Sequence, residues 1–203
     1  MSSAPVLGLI GGIGSGKSRV AAALAWRGAL VLSGDEAGHE ALRQPEIRQQ
    51  IVQRWGQEIL DVQGEIVRRR LGVKVFASPT QRVALESMVH PWIKQRLQEG
   101  IDAAKQNPKV NLIVLDAAIL LEAGWHAMCA AIVFVETPRA VRLKRLAEQR
   151  GWTAEDLDVR ERAQLPLEEK ARRAHYHVEN SGTPEDLERQ LDALLQRLGL
   201  PGK

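Results

Sequence analysis

The sequence predicts an α/β fold built on a parallel five-stranded sheet with helices on both faces. Two observations predict it: short apolar runs rich in β-branched residues recur along the chain, and segments with helical spacing separate them. A third is a glycine cluster placed directly after the first run and before the first helix. The first strand is Val6 to Ile10, and Ser15 to Arg27 then carries helical spacing through Val20 and Leu24. Ala29–Leu32 is the second strand, Leu112–Leu115 the third and Ala131–Val135 the fourth, with Tyr176–Val178 a shorter fifth.

The helices have readable starts. Ser78-Pro79, Thr137-Pro138 and Thr183-Pro184 each place a hydroxyl before a proline at the first helical position. Thr153 with Asp156, and Ser78 with Gln81, have the spacing of a capping box. The last helix carries Leu187, Leu191, Leu194, Leu195 and Leu198 on one face, a stripe that suits core packing. Two helical stretches interrupt the alternation. The expected organisation is therefore a core made of residues 1–35, 109–137 and 176–203, an inserted, mostly helical domain at 36–108, and a helical segment at 138–175. That last segment is rich in cations: Arg139, Arg142, Lys144, Arg145, Arg150, Arg160, Arg162, Lys170, Arg172 and Arg173. On a free helix such charge is a solvated face. Beside a phosphate site it reads as a lid over an anionic substrate.

With 203 residues, 44% hydrophobic and 26% charged, the chain has an ordinary globular composition. A net charge of +3 is too small to argue for nucleic-acid binding and suits a site for small polyanions. The single cysteine, Cys129, cannot form an internal disulfide and reads as a small buried apolar residue in a reducing compartment. No basic, apolar leader opens the chain and no apolar run approaches ~20 residues, so neither an export signal nor a membrane span is expected, and the cytoplasm is the expected location.

The glycine cluster carries the chemistry. Gly11, Gly12, Ile13, Gly14, Ser15, Gly16, Lys17 and Ser18 match the pattern G-x-x-x-x-G-K-[ST] in full. They follow a strand and open a helix, as phosphate binding requires, and so predict a P-loop NTPase core. The glycines let successive N–H groups converge, and the helix N-terminus adds unsatisfied donors and a positive dipole end. Lys17 is placed to reach the outer phosphates of ATP, and the Ser18 hydroxyl to ligate Mg2+. Asp35 to Gly38 mimics the D-x-x-G element of GTPases. It follows Ser18 too closely to leave room for a switch segment, and no N-K-x-D guanine signature is present.

Asp35 lies just beyond the second strand, at the sheet edge that a parallel topology shares with the phosphate loop. A carboxylate there can take the proton of an attacking hydroxyl or orient it. It can also simply be the N-cap of the helix that follows. Asp116, at the end of the third strand, is a second acid near the expected metal, or else a strand-end cap.

These residues, in this order, resemble the dephospho-CoA kinase family along nearly the whole chain. Leu7 to Ser18 is close to the family's opening. Val31 to Asp35 resembles its second strand, with Asp35 at the final acid of an acid-Ala-Asp triplet. Gly64 to Leu71, containing Arg68, resembles a Gly-x-Leu-Asp-Arg…Leu stretch, and Val75-Phe76, Leu85-Glu86 and His90-Pro91 match its central helical segment. Leu115 to Gly124, with Asp116 and Glu122, resembles its Asp-x-Pro-Leu-Leu-Phe-Glu segment. Arg145, Arg150, Arg160, Gln164, Lys170 and Asn180 to Gly182 resemble its lid and return strand. Departures fall at Arg19 (usually Thr), Ser33 (an acid), Val67 (Asp), Ala118 (Pro) and His175 (Asp).

The resemblance implies transfer of a phosphoryl group from ATP to the ribose 3′-hydroxyl of dephospho-CoA. It implies that Gly11 to Arg19 wraps the ATP phosphates and that Asp35 activates or positions the hydroxyl. Arg145, with Arg142 and Arg150 beside it, would stabilise the transferring group, as a loose, anionic transition state requires. Arg68 and the His90–Pro91 corner would serve the acceptor, and Asn180 to Gly182 would border the adenine. Another small-molecule or nucleotide kinase on the same core is the nearest alternative. A non-catalytic, nucleotide-dependent nucleic-acid-binding protein is a more distant one, because Trp152 is the lone aromatic among the arginines of 138–175.

Overall fold

The computed structural model describes residues 4–76 and 78–200. Five strands form one all-parallel sheet in the order β2-β3-β1-β4-β5. They are β1 (Val6–Gly11), β2 (Leu30–Ser33), β3 (Ile113–Asp116), β4 (Ala131–Glu136) and β5 (Tyr176–Glu179). The central strand β1 is buried along its whole length, as a parallel strand covered on both faces must be. Leu7 and Leu9 face one way with Val114, Val133 and Val135, and meet Val20 and Leu24 of α1 (Lys17–Ala25). The same layer holds Leu187, Leu191, Leu194 and Leu195 of α9 (Pro184–Arg197), the leucine stripe read from sequence. Arg27, just past α1, ties the two helices: its Nε donates to Asp192 Oδ1 at 2.8 Å, with only 4% of its side chain exposed. On the other face Gly8 allows close packing. A Cβ there would lie 2.6 Å from Leu120 Cδ2 and 2.8 Å from Cys129 Sγ. Cys129 is half-buried, and burial pushes its thiol up to about 12, so it stays protonated.

The chain forms two compact units. One is Met1–Ser33 with Gly100–Lys203, and the other is Gly34–Glu99. The first contains the sheet, α1, α9 and three further helices, α6 (Arg139–Arg150), α7 (Ala154–Glu161) and α8 (Leu167–Arg173). The second contains α2 (Gly34–Ala41), α3 (Pro45–Trp55), α4 (Arg68–Phe76) and most of α5 (Pro79–Gln106). Its own core includes Ile47, Ile51, Trp55, Ile59, Leu71 and Ile93. A small antiparallel bridge, Leu60 to Ile66, lies between α3 and α4.

Three sequence expectations need correction. Thr137 does not cap α6: the helix begins at Arg139 with Pro138 in the cap position and no side-chain cap bond. Thr153 and Thr183 do cap theirs, each in a reciprocal box with Asp156 or Asp186. The difference is chemical. A box needs an acid or amide side chain three residues after the cap to return a bond to the cap N–H, and Thr137 has Ala140 there. Secondly, His90–Pro91 is no corner, because Pro91 lies inside the 28-residue α5. Proline there removes one helical bond and crowds the preceding turn, at about 3 kcal/mol, and flanking burial of Val89, Ile93 and Leu97 carries the helix past it. Thirdly, α2 starts at Gly34, so Asp35 is not ahead of the helix but in its first turn, where a carboxylate favours the dipole.

Removing the box at the last helix gives a direct check. Thr183→Ala should cost about 1 kcal/mol, which lowers the melting temperature by about 2–4 °C for a chain of this size. A thermal scan showing no change would mean that α9 is held by its leucine face alone.

Candidate active site

In the order β2-β3-β1-β4-β5, the chain leaves β1 for β2 on one side and later fills β4 on the other. The crevice beyond the C-terminal end of β1 is therefore the topological switch point, where open α/β sheets bind ligands. Residues 12–16 occupy it and lead straight into α1. Gly14 and Gly16 have φ of 77° and 85°, left-handed values that favour glycine, and Gly16 is the cap residue of α1.

The loop is held from behind by its carbonyls. The Ser15 carbonyl accepts from Asn180 Nδ2 at 2.8 Å, Thr137 Oγ1 at 3.0 Å and Arg145 Nη1 at 3.3 Å. The Ile13 carbonyl accepts from Arg142 Nη1 at 3.0 Å. A peptide plane points its C=O and the next N–H in opposite directions. Fixing the Ser15 and Ile13 oxygens outward therefore turns the Gly16 and Gly14 N–H groups inward, into the loop's concavity. That is the arrangement of a backbone nest for an anion.

Asn180 and Arg145 are themselves joined. Arg145 Nη2 donates to the Asn180 carbonyl at 2.6 Å, and the Asn180 N–H donates to Glu136 O at 2.9 Å. Asn180 is 2% exposed, with its amide committed to Ser15 rather than open to a base. Arg145 donates to neutral carbonyl oxygens, those of Ser15 and Asn180. Burial, and then the nearby Arg19 guanidinium, hold its pKa below the ordinary arginine range. Two cations brought close beside a nest are an electrostatic cost that a polyanion between them would reverse.

At the mouth of the loop the Ser18 hydroxyl donates to Asp116 Oδ2 at 3.0 Å. Asp116 ends β3 and pairs in register with Ser33 at the end of β2. A hydroxyl and a carboxylate side by side next to a phosphate nest are hard oxygen donors of the kind Mg2+ takes, the phosphates supplying the rest. Asp116 thereby joins Ser18, a pairing that spacing in the sequence does not reveal.

Arg142 and Arg150 stand differently from Arg145. Arg142 is 3% exposed, with its guanidinium on Ile13 O, Thr137 O and Glu161. Arg150 stacks over Trp152 at 5.1 Å, and Arg160 over the same ring at 4.0 Å. In the second unit, Arg68 is the first residue of α4 and exposed, Asp35 is exposed, and Pro91 is exposed within α5. His90 is half-buried; burial lowers its pKa, with Glu86 opposing, so it is neutral near pH 7 and no standing cation.

A mononucleotide-binding sheet, a complete phosphate loop and an acid beside the Ser18 hydroxyl define a P-loop kinase. The comparisons agree. A family model for dephospho-CoA kinase matches residues 5–186, and the chain belongs to that family. A dephospho-CoA kinase of Anaeromyxobacter dehalogenans is 39% identical over 197 residues, covering 95% of this chain and 92% of that one. The Geobacillus kaustophilus protein of the same name is 37% identical over 94% of this chain and 95% of its own. Among solved structures, TT1252 from Thermus thermophilus superposes with a TM-score of 0.80 at 36% identity, covering 97% of this chain and 99% of that one.

Ser15 offers a check on the bracing. Its side-chain Oγ is buried with no hydrogen-bond partner, while its carbonyl has three. Ser15→Ala removes an unsatisfied buried hydroxyl and leaves the backbone acceptor in place. Chemical denaturation should show stability within about 0.5 kcal/mol of wild type, or higher. A loss beyond about 1.5 kcal/mol would show that the hydroxyl is bonded after all.

Proposed function

We infer that the chain transfers the γ-phosphoryl group of ATP to the ribose 3′-hydroxyl of dephospho-CoA, giving CoA and ADP. The observation that carries this reading is the loop whose Ile13 and Ser15 carbonyls are pinned outward beside the Ser18–Asp116 pair, in a chain of this family.

In this reading the residues Gly11 to Arg19 hold the ATP phosphates through backbone N–H groups, with Lys17 on the outer ones. Ser18, with Asp116 beside it, holds Mg2+, which neutralises charge on the β- and γ-oxygens when bound. Asp35 accepts the proton of the ribose hydroxyl or orients it toward the γ-phosphorus. Support comes from the chain path: Asp35 comes two residues after Ser33, whose register partner is Asp116. Arg145 stabilises charge on the transferring group, since it bonds to the neutral carbonyls of Ser15 and Asn180 and stands near Arg19. Arg142 and Arg150 fall outside that role, one buried under the loop and one stacked on Trp152. Asn180 serves ATP through the loop, by holding Ser15.

The unit Gly34–Glu99 takes the acceptor, with Arg68 on its anionic groups and His90 and Pro91 within its long helix. The segment 138–175 acts as the lid, which shields the γ-phosphoryl group from water. No described helix is long and apolar enough to cross a membrane. The proposed location of the reaction is the cytoplasm, as the sequence leads one to expect.

Two measurements test the reading. Lys17→Ala should lose both ATP affinity and turnover, whereas Asp35→Asn should bind ATP almost as before and transfer poorly, by roughly 10²–10⁴-fold in kcat. An Asp35→Asn protein with wild-type kcat removes Asp35 from the chemistry. Saturating ATP–Mg2+ at ~100 times Kd should add about 2.7 kcal/mol, or a rise of roughly 5–11 °C in melting temperature. A mass-spectrometric screen of acceptors should find CoA formed from dephospho-CoA; phosphorylation of a nucleoside monophosphate instead would reassign the substrate.

A further inference from the structure

We propose that Arg142 and Glu161 form a positioning pair that sets the pose of the phosphate loop from the lid segment. Neither residue belongs to the loop. Arg142 comes from α6 and Glu161 from the last position of α7.

The geometry is that of a strut. Arg142 lies against the loop so closely that a Cβ at Gly12 would stand 2.9 Å from its Nη1 and 3.0 Å from its Cζ. A Cβ at Gly14 would stand 3.1 Å from its carbonyl. Its Nη1 donates to Ile13 O at 3.0 Å and to Glu161 Oε1, and its Nε to Thr137 O at 3.2 Å. The planar guanidinium links three partners from three segments at fixed angles. Thr137 is the same residue whose hydroxyl holds Ser15 O, so the two outward carbonyls of the loop share one support. The pair is desolvated on the arginine side, with side-chain exposure of 4% for Arg142 and 24% for Glu161.

A buried guanidinium bonded only to carbonyls would be poorly compensated, and Glu161 supplies the countercharge that keeps it there. Without that charge the head group is drawn toward solvent, the Ile13 carbonyl is released and the Gly14 N–H loses its direction. The nest then binds phosphate less well. The loop grips the phosphates alike before and during transfer, so the loss falls on KM for ATP and not on kcat. Docking of α7 does not depend on this pair alone, because Arg139 separately holds Asp158 at 2.7 Å. A purely structural pair would lower stability and leave nucleotide affinity where it was.

The proposal rests on the nucleotide half of the function inferred above and not on the acceptor. The test therefore measures ATP binding directly, by calorimetry on the full chain with Mg2+, alongside steady-state kinetics with dephospho-CoA. Arg142→Gln should raise Kd and KM for ATP about tenfold, with kcat and KM for the acceptor changed less than about threefold. Glu161→Gln, nearly isosteric and so expected to fold, should shift Kd for ATP the same way by about three- to tenfold. The double variant should match Arg142→Gln alone, since two groups acting as one unit are not additive. Arg142→Lys should fall between, keeping the charge but losing the fork. ATP affinity within about twofold of wild type in Glu161→Gln and in any folded Arg142 variant would overturn the proposal, as would additive effects in the double variant.

Discussion

The site depends on where two backbone oxygens point. A phosphate loop binds only if its amides converge, and an isolated glycine-rich turn has no reason to keep them so, because glycine adopts many backbone conformations at similar energy. Here that freedom is removed from outside. Asn180, Thr137 and Arg145 hold the Ser15 oxygen, and Arg142 holds that of Ile13. Planarity of the peptide does the rest. The glycines make the shape accessible, and the polar groups behind it make it the populated one. Substrate then meets donors already aligned, with little ordering left to oppose binding.

This division explains what was legible in the sequence. The phosphate loop is contiguous, and its signature is local: glycines for the bend, then a lysine and a serine where the helix opens. The strands and the leucine stripe of α9 were also legible, because burial on one or both faces leaves a period in the residues themselves. The supports of the loop leave no such trace. Thr137, Arg142, Arg145 and Asn180 reach Ser15 or Ile13 across more than a hundred positions, and their residue types suit many roles. Asn180 illustrates this: beside a glycine turn it reads as an adenine neighbour, while its buried amide faces the loop. The misread at Thr137 is instructive because Thr183 has the same Thr-Pro signature. Only the acid three residues later separates a cap from a hydroxyl free to act elsewhere. Pro91 was misread for the opposite reason, since a local rule against proline in helices yields to burial on either side of it.

The link between Ser18 and Asp116 belongs to neither category. Each residue could be picked out alone, one from the loop motif and the other as an acid ending a strand. What joins them is the strand order, which places β3 directly beside β1. Parallel pairing of neighbours puts their C-terminal ends at one edge, so an acid ending β3 arrives next to the start of α1. Topology, not a residue pattern, assembles that half of the site.

The same economy applies to charge in the segment 138–175. As a string it shows ten cations and suggests a surface reaching for anions. Folded, much of that charge is answered within the chain. Arg139 meets Asp158 and Glu161, Arg142 meets Glu161, Arg160 meets Asp156, and Arg173 meets Glu169. Lys170, 1% exposed, has Glu122 at 2.8 Å, Gln164 at 2.9 Å and the Ala118 carbonyl at 3.4 Å. Glu122 also accepts the Leu165 N–H, so this buried ion pair ties the stretch after β3 to the approach of α8. Arg145 differs from these, since it bonds to the uncharged carbonyl oxygens of Ser15 and Asn180 and has another guanidinium, Arg19, as its neighbour. Coulomb attraction for an anion depends on net local charge, not on the number of cations nearby. Pairing at five of the ten cations therefore narrows the field that a string of charges suggests, while Arg145 brings its own charge to the phosphate loop through the Ser15 carbonyl.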